Sequence, residues 1–135
     1  MLTILPFILG IITYTLIEYV VHRWLLHGPM VAQHREHHRN PAKNVQTPFM
    51  VVAPVLVVVA LFVGVALAAG IMVGWYASGV PHRKLHTTKA RWVWMVKLQK
   101  HHMVHHRQAS KNYGVTSVIW DKLFGTRGLP PDENR

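Results

Sequence analysis

The chain has 135 residues, enough for one domain, and half of its residues are apolar. It contains no cysteine, which excludes disulfides, thiolate zinc sites and iron–sulfur clusters, so any metal must be held by nitrogen or oxygen ligands. The formal net charge is +10, but the basic residues flank apolar blocks, so the positive-inside rule explains them better than nucleic-acid binding does.

The first predicted element is an apolar helix near the N-terminus. Residues 2–21 hold a single charge, Glu18, and a helix of that length measures about 30 Å, enough to cross a bilayer once. No Lys or Arg precedes this run and no small-residue cleavage site is evident, so we predict a permanent transmembrane helix rather than a signal peptide. We expect it to continue through His27 and to end near Gly28-Pro29.

Two further regions follow before Pro81. Residues 30–47 are polar and predict a short amphipathic helix at the membrane surface, ended at Asn40 because the residue before a proline avoids helical geometry. Residues 49–80 carry no charge. They are too many for one span of about 20 residues and too few for two full spans, and their periodicity does not decide between the two.

The remainder of the chain is more polar. Trp92 and Trp94 lie in a basic stretch and are predicted at the level of the lipid headgroups. We assign residues 1–127 to one membrane domain and residues 128–135 to a Pro-rich polar tail, which we expect to be poorly ordered.

All eleven histidines lie in two windows, residues 22–38 and 82–106. Each window contains a spaced pair followed by a His-x-x-His-His motif, which presents three imidazoles on one side of a helix because residues three and four apart share a face. The pairs are His22 with His27 and His82 with His86, and the motifs are His34, His37, His38 and His102, His105, His106.

The first pair is spaced by five residues, which an ideal α-helix places about 140° apart. Either His22 and His27 reach opposite sides of a metal pair, or a local distortion brings them together. His101 lies outside the motifs, and we expect it to be an interfacial residue without a ligand role.

Ten histidines are too many for one metal ion and provide about five ligands for each of two. Neutral imidazole suits iron, copper, zinc and nickel, and two ions with open positions suit dioxygen activation. A bis-histidine haem protein would instead place single histidines deep in separate helices.

A shared metal site requires both windows on one side of the membrane. A single crossing by residues 49–80 would separate them, so we predict a hairpin with a turn near Gly64 whose second arm continues through His82 and His86. The predicted fold is therefore an all-α integral membrane protein with one transmembrane helix, a helical hairpin and a cytosolic histidine-rich helical cap. This multi-pass chain would present its metal site to the cytoplasm, from the inner membrane of a bacterium or the endoplasmic reticulum of a eukaryote.

The order of these histidine motifs resembles that of the fatty acid hydroxylase and sterol desaturase superfamily, the membrane di-iron oxygenases. The stretch from Asn112 to Thr126 is similar to that superfamily's C-terminal segment, and the resemblance covers roughly residues 18–126. Two positions depart from that superfamily's pattern. Gly79 stands where relatives often carry an acidic residue, and Arg83 stands where they often carry an aromatic residue. The resemblance implies two iron ions, replaceable by zinc in purified samples, held by His22, His27, His34, His37, His38, His82, His86, His102, His105 and His106.

The resemblance also implies hydroxylation or desaturation of a lipid C–H bond with dioxygen and external electrons. The spacing of His82 and His86 and the segment from Trp120 to Thr126 favour the fatty acyl branch over sterol and carotenoid ring hydroxylases, which stay open. A membrane metal-binding or metal-transport protein is the alternative outside enzymes, although transporters usually place their ligands in mid-membrane.

The sequence also predicts an electron-donor protein and two acidic side chains that support the metal ligands. No electron-transfer domain fits in this chain, so a separate ferredoxin-type or haem redox protein would supply electrons. It could dock on the basic residues 83–111, which would equally attract lipid headgroups. Glu18 and Asp121 are candidates to accept a hydrogen bond from the free ring N–H of a ligand histidine.

Overall fold

The computed structural model describes residues 3–41, 43 and 49–130, and these form helices and loops without a strand. The predicted all-α class is therefore confirmed. Residues 42 and 44–47 of the polar stretch and residues 131–135 of the predicted tail lie outside the described residues. The helices are α1 Ile4–Val20, a π-helical segment Val21–Leu26, α2 Val31–Arg39, α3 Phe49–Phe62, α4 Val65–Thr87, α5 Val93–Arg107 and α6 Ile119–Leu123.

Helix α1 and the π-helical segment form one continuous rod. Within the described part of the chain, this 23-residue rod from Ile4 to Leu26 is the helix long and apolar enough to cross a membrane. Its outer face exposes apolar side chains, among them Leu5 at 64% and Ile12 at 50%. A water-facing helix would carry polar residues at such positions.

Helices α3 and α4 form a hairpin that turns where the sequence predicts it. Gly64 lies between them with a φ of 141°, a conformation that residues with a Cβ rarely adopt. Helix α4 continues to Thr87 and so includes His82 and His86. Tyr14, Val52 and Ile71 form a fully buried core that joins the hairpin to α1.

Small residues let the backbones of α1 and α4 touch. A Cβ on Gly10 would overlap the carbonyl oxygen of Leu67, and a Cβ on Gly70 would overlap that of Phe7. Nearer the histidines, the Ser78 hydroxyl lies 3.0 Å from the Tyr14 hydroxyl. The two helices that carry the spaced histidine pairs therefore pack side by side in direct contact.

The C-terminal third packs against the ends of these helices. The Gln99 side chain donates to the carbonyls of Leu85 and Thr88, at 2.8 and 3.0 Å, which ties α5 to the end of α4. The Trp120 indole donates to the Thr15 hydroxyl at 2.8 Å, which ties α6 to α1. These contacts bring the second histidine motif, on α5, over the first.

Candidate metal centre

The π-helical segment resolves the five-residue spacing of the first histidine pair. The His27 N–H donates to the His22 carbonyl, five residues earlier, at 3.2 Å. This wider turn brings the two imidazoles onto one side of the helix, with ring centroids 5.3 Å apart. A local distortion, and not placement on opposite sides of a metal pair, therefore accounts for the spacing; such π turns are frequent at functional sites.

Five histidines from three parts of the chain converge as cluster A. Their Nε2 atoms lie 3.0 Å apart for His22 and His34, 2.9 Å for His34 and His38, and 3.2 Å for His27 and His105. His38 also reaches His105, at 3.1 Å. The ligand atoms of all but His38 lie within 4.8 Å of one another, close enough to hold one metal ion. Cluster A comprises His22, His27, His34, His38 and His105.

The remaining five predicted ligands converge as cluster B. Their Nε2 atoms lie 3.1 Å apart for His37 and His82, 2.9 Å for His86 and His102, and 3.1 Å for His102 and His106. As in cluster A, four of them have ligand atoms within 4.8 Å of one another. Cluster B comprises His37, His82, His86, His102 and His106.

The adjacent histidines of each motif are divided between the clusters. His37 belongs to cluster B and His38 to cluster A, and likewise His106 belongs to B and His105 to A. Neighbouring helical residues point about 100° apart, so one motif can serve two sites. The rings of His38 and His106 stack at 4.3 Å, which makes the clusters direct neighbours.

The hydrogen bonds around the rings suit metal binding. The Nδ1–H groups of His22, His37 and His105 donate to the backbone carbonyls of Tyr113, Lys43 and Lys111, at 2.5, 2.6 and 2.7 Å. A neutral ring that donates from Nδ1 presents a bare lone pair at Nε2. Lone pairs that face one another at these distances repel unless a proton or a cation lies between them.

The clusters also disfavour protonated rings. Burial, together with the neighbouring imidazoles, lowers the pKa of His38 to about 4, and burial lowers the pKa of His105 to about 3. Most of these rings are therefore neutral near pH 7 and cannot fill the space between them with protons. Two clusters of neutral imidazole nitrogens could each hold a transition metal; that these ten residues do so stays a prediction.

One segment after α5 supplies the carbonyls that orient cluster A. We call residues Lys111–Tyr113 the carbonyl clamp, because the carbonyls of Lys111 and Tyr113 accept from His105 and His22. Between them, Asn112 is fully buried and has a φ of 56°. Its side chain donates to the His101 and Gly128 carbonyls, at 2.9 and 3.1 Å, and accepts from the Gly128 N–H at 2.7 Å.

Sequence reasoning missed Asn112, because a single asparagine in a loop breaks no periodic pattern. The available signal was the residue type, since asparagine tolerates a positive φ better than most residues with a Cβ.

Asp121 supports the carbonyl clamp instead of a ligand ring, which corrects its predicted role. The fully buried carboxylate accepts from the N–H groups of Tyr113 and Gly114, both at 2.8 Å. It also accepts from the Thr126 hydroxyl at 2.7 Å and from His101 Nε2 at 2.9 Å. Asp121 therefore acts on cluster A through the Tyr113 backbone.

The structure also corrects the roles predicted for Glu18 and His101. Glu18 is buried, and its carboxylate accepts from the backbone N–H and the hydroxyl of Thr116, at 3.0 and 2.6 Å, rather than from a histidine ring. His101 is only 6% exposed and belongs to neither cluster. Its contact with Asp121 makes it part of the support of the clamp and not a free interfacial side chain.

A comparison with known protein families matches the part of the chain that contains the site. A family model described as fatty acid hydroxylase matches residues 7–126, which include both histidine windows, the carbonyl clamp and Asp121. The chain belongs to the fatty acid hydroxylase family. The resemblance drawn from the histidine motifs is thereby confirmed.

Members of the fatty acid hydroxylase family similar to this chain include proteins from plants, fungi and mammals. Dihydroceramide fatty acyl 2-hydroxylase FAH2 of Arabidopsis thaliana is 31% identical over 87% of this chain and 58% of its own length. Ceramide very long chain fatty acid hydroxylase scs7 of Schizosaccharomyces pombe is 32% identical over 90% of this chain and 42% of its own. Fatty acid 2-hydroxylase of Rattus norvegicus is 29% identical over 94% and 40%. The chain thus spans 58% or less of the length of these relatives.

A solved structure in this hydroxylase family has the same fold. It is described as full-length scs7p with only the hydroxylase domain visible, and it matches 96% of this chain and 58% of its own with a TM-score of 0.81 and 31% identity.

Proposed function

We propose that this member of the fatty acid hydroxylase family inserts one oxygen atom of dioxygen into a C–H bond of a fatty acyl chain, at carbon 2. The observation that carries the proposal is the pair of adjoining five-histidine clusters. The choice of acyl substrate and of carbon 2 is supported by the names of the relatives from Arabidopsis thaliana and Rattus norvegicus. Each turnover would consume one dioxygen, two electrons and two protons, and would form the hydroxylated chain and one water.

Clusters A and B would each hold one iron ion, and zinc can replace iron on the same nitrogen ligands in purified samples. The bound irons would supply the activation of dioxygen. The protein itself would hold ten neutral imidazole rings so that their Nε2 lone pairs face one another in two adjoining groups. The carbonyls of Lys111 and Tyr113 hold their partner rings in one tautomer and orientation, which is how groups around a metal site usually tune its ligands.

We place α1 with its π-helical segment across the bilayer, and the α3–α4 hairpin in it. The support is the apolar exposed surface near the hairpin turn, where Leu61, Phe62 and Val65 are 74%, 82% and 73% exposed. Contiguous exposed apolar surface of this kind marks contact with lipid or with another protein. Both histidine windows would then face the cytoplasm, as the basic residues beside them favour, and residues 1–127 would act as one membrane domain.

The decisive experiment measures oxygen incorporation. The purified protein is loaded with ferrous iron and a long-chain ceramide and is reduced with dithionite in the absence of oxygen. After the excess dithionite is removed, isotopically heavy dioxygen is added, and the acyl product is analysed by mass spectrometry. We expect a 2-hydroxy acyl chain that carries one heavy oxygen atom. Product without the heavy isotope, or no product from a sample that retains two irons per chain, would contradict the proposal.

A further inference from the structure

A cleft lined by basic residues lies beside α5 and α6. It has a volume of about 230 Å³, and its lining contains no acidic residue. Lys97, Lys100, Lys122 and Arg127 contribute to the lining and are all exposed. The buried ring of His101 also lines it. We call this surface the cationic cleft.

We propose that the cationic cleft docks an acidic electron-transfer protein, which delivers the two electrons of each turnover. This inference rests on the proposed function, because only an oxygenase reaction needs an external reductant here. Two one-electron donors would be oxidised in succession for each dioxygen consumed. Four cationic side chains around one concavity would attract an acidic surface over long range and orient it on arrival.

Short bonded paths through His101 join the cleft to both clusters. His101 in its lining is the chain neighbour of His102, which belongs to cluster B. On the other side, His101 Nε2 lies 2.9 Å from Asp121, Asp121 accepts from the Tyr113 N–H at 2.8 Å, and the Tyr113 carbonyl accepts from His22 Nδ1 of cluster A. Electron transfer weakens steeply with distance and is favoured by continuous bonded paths. A donor seated in the cleft would therefore be well placed to reduce either metal.

A second basic surface on the chain has a different character. It is a larger concavity of about 690 Å³ lined by Lys84, Lys89, Arg91 and Trp92. Trp92 is 70% exposed there, and the next two residues are also exposed and apolar. Exposed tryptophan beside basic residues is typical of contact with lipid headgroups. We therefore assign the electron donor to the cationic cleft and not to this surface.

The test compares charge reversals at the two surfaces. The double variant Lys97→Glu/Lys122→Glu alters the cleft, and Lys84→Glu/Lys89→Glu makes the same change of net charge at the tryptophan surface. All four side chains are exposed, so neither variant disturbs the core. The probe is an acidic plant-type [2Fe–2S] ferredoxin. Its binding to the full chain is titrated at low ionic strength. The rate of product formation with reduced ferredoxin is divided by the rate of a single turnover of chain that was reduced beforehand with dithionite, freed of the excess and then exposed to oxygen.

We expect the cleft variant to bind ferredoxin at least about tenfold more weakly and to lower the ratio of rates by a similar factor. For the tryptophan-surface variant, the ferredoxin affinity and the ratio of rates should both stay within about twofold of those of the unmodified chain. Raising the salt concentration should weaken ferredoxin binding by the unmodified chain. Equal losses in both variants, or unchanged ferredoxin affinity in the cleft variant, would overturn the proposal. In a parallel binding assay with phosphatidylserine vesicles, loss of vesicle binding by the cleft variant with unchanged affinity for ferredoxin would also overturn the proposal. Failure of the proposed function would be seen separately, because the unmodified chain would then form no product in the single turnover after dithionite reduction, whereas the binding titration needs no turnover.

Discussion

Replacement of Asn112 should weaken metal binding in cluster A and leave cluster B nearly unchanged. The Asn112 side chain makes three hydrogen bonds, two to the Gly128 backbone and one to the His101 carbonyl. At about 1 kcal/mol each, Asn112→Ala loses about 3 kcal/mol of unfolding free energy. It adds about 1 kcal/mol of strain, because alanine disfavours the φ of 56° at this position.

Loss of those bonds frees the carbonyl clamp, which orients His22 and His105 in cluster A but no ring of cluster B. Disturbing such a supporting contact typically reduces metal affinity about tenfold to a hundredfold. We therefore expect the metal content of Asn112→Ala to fall from about two ions per chain toward one after dialysis against a weak chelator. Asn112→Gly is the matched control for backbone strain, since glycine accepts the positive φ but makes none of the side-chain bonds.

The assay combines metal analysis of the dialysed protein with thermal unfolding of the metal-free form. Asn112→Gly should lose the cluster A ion as Asn112→Ala does while unfolding at a somewhat higher temperature. The reasoning is refuted if both variants retain two tightly bound ions despite lower stability, or if both ions are lost together.

Three further outcomes follow from the structure. His38→Ala should lose the cluster A ion and abolish the proposed hydroxylation. His101→Ala should keep two ions per chain and lose about 1–3 kcal/mol of stability through the contact with Asp121; loss of an ion from His101→Ala, as from His38→Ala, would contradict the ligand assignment. Because the chain has no cysteine, Lys43→Cys and Ser110→Cys can be labelled individually, and both should react with an impermeant reagent from the cytoplasmic side; labelling from opposite sides would rule out the hairpin topology. Gly70→Ala should lower the melting temperature in detergent, because its Cβ would overlap the Phe7 carbonyl and force α1 from α4; an unchanged melting temperature would show that the helices do not touch.

Sequence patterns predicted those features that follow from local rules. The all-α class and the turn at Gly64 followed from long apolar blocks and from the need to return both histidine windows to one place. The π turn at His22 was left open, because the spacing of two histidines does not set the hydrogen-bond register, and the carbonyl that holds the His22 ring belongs to the distant Tyr113.

The partners of the buried polar groups were harder to predict. An acid within an apolar helix shows that a partner exists but not which one, and Glu18 contacts Thr116, almost a hundred residues later in the chain. Asp121 and Asn112 likewise contact residues outside their own segments, His101 for Asp121 and Gly128 for Asn112. Sequence spacing describes a single helix well and carries little information on pairs this far apart.

The contact between Gly10 and Gly70 also constrains how the proposed acyl substrate arrives. With the two backbones in contact there, no methylene chain can pass between α1 and α4 at the level of these glycines. The pair of helices forms a partition, with His22 and His27 of cluster A continuing from α1 and His82 and His86 of cluster B near the end of α4. A fatty acyl tail must pass around this partition on one flank or the other.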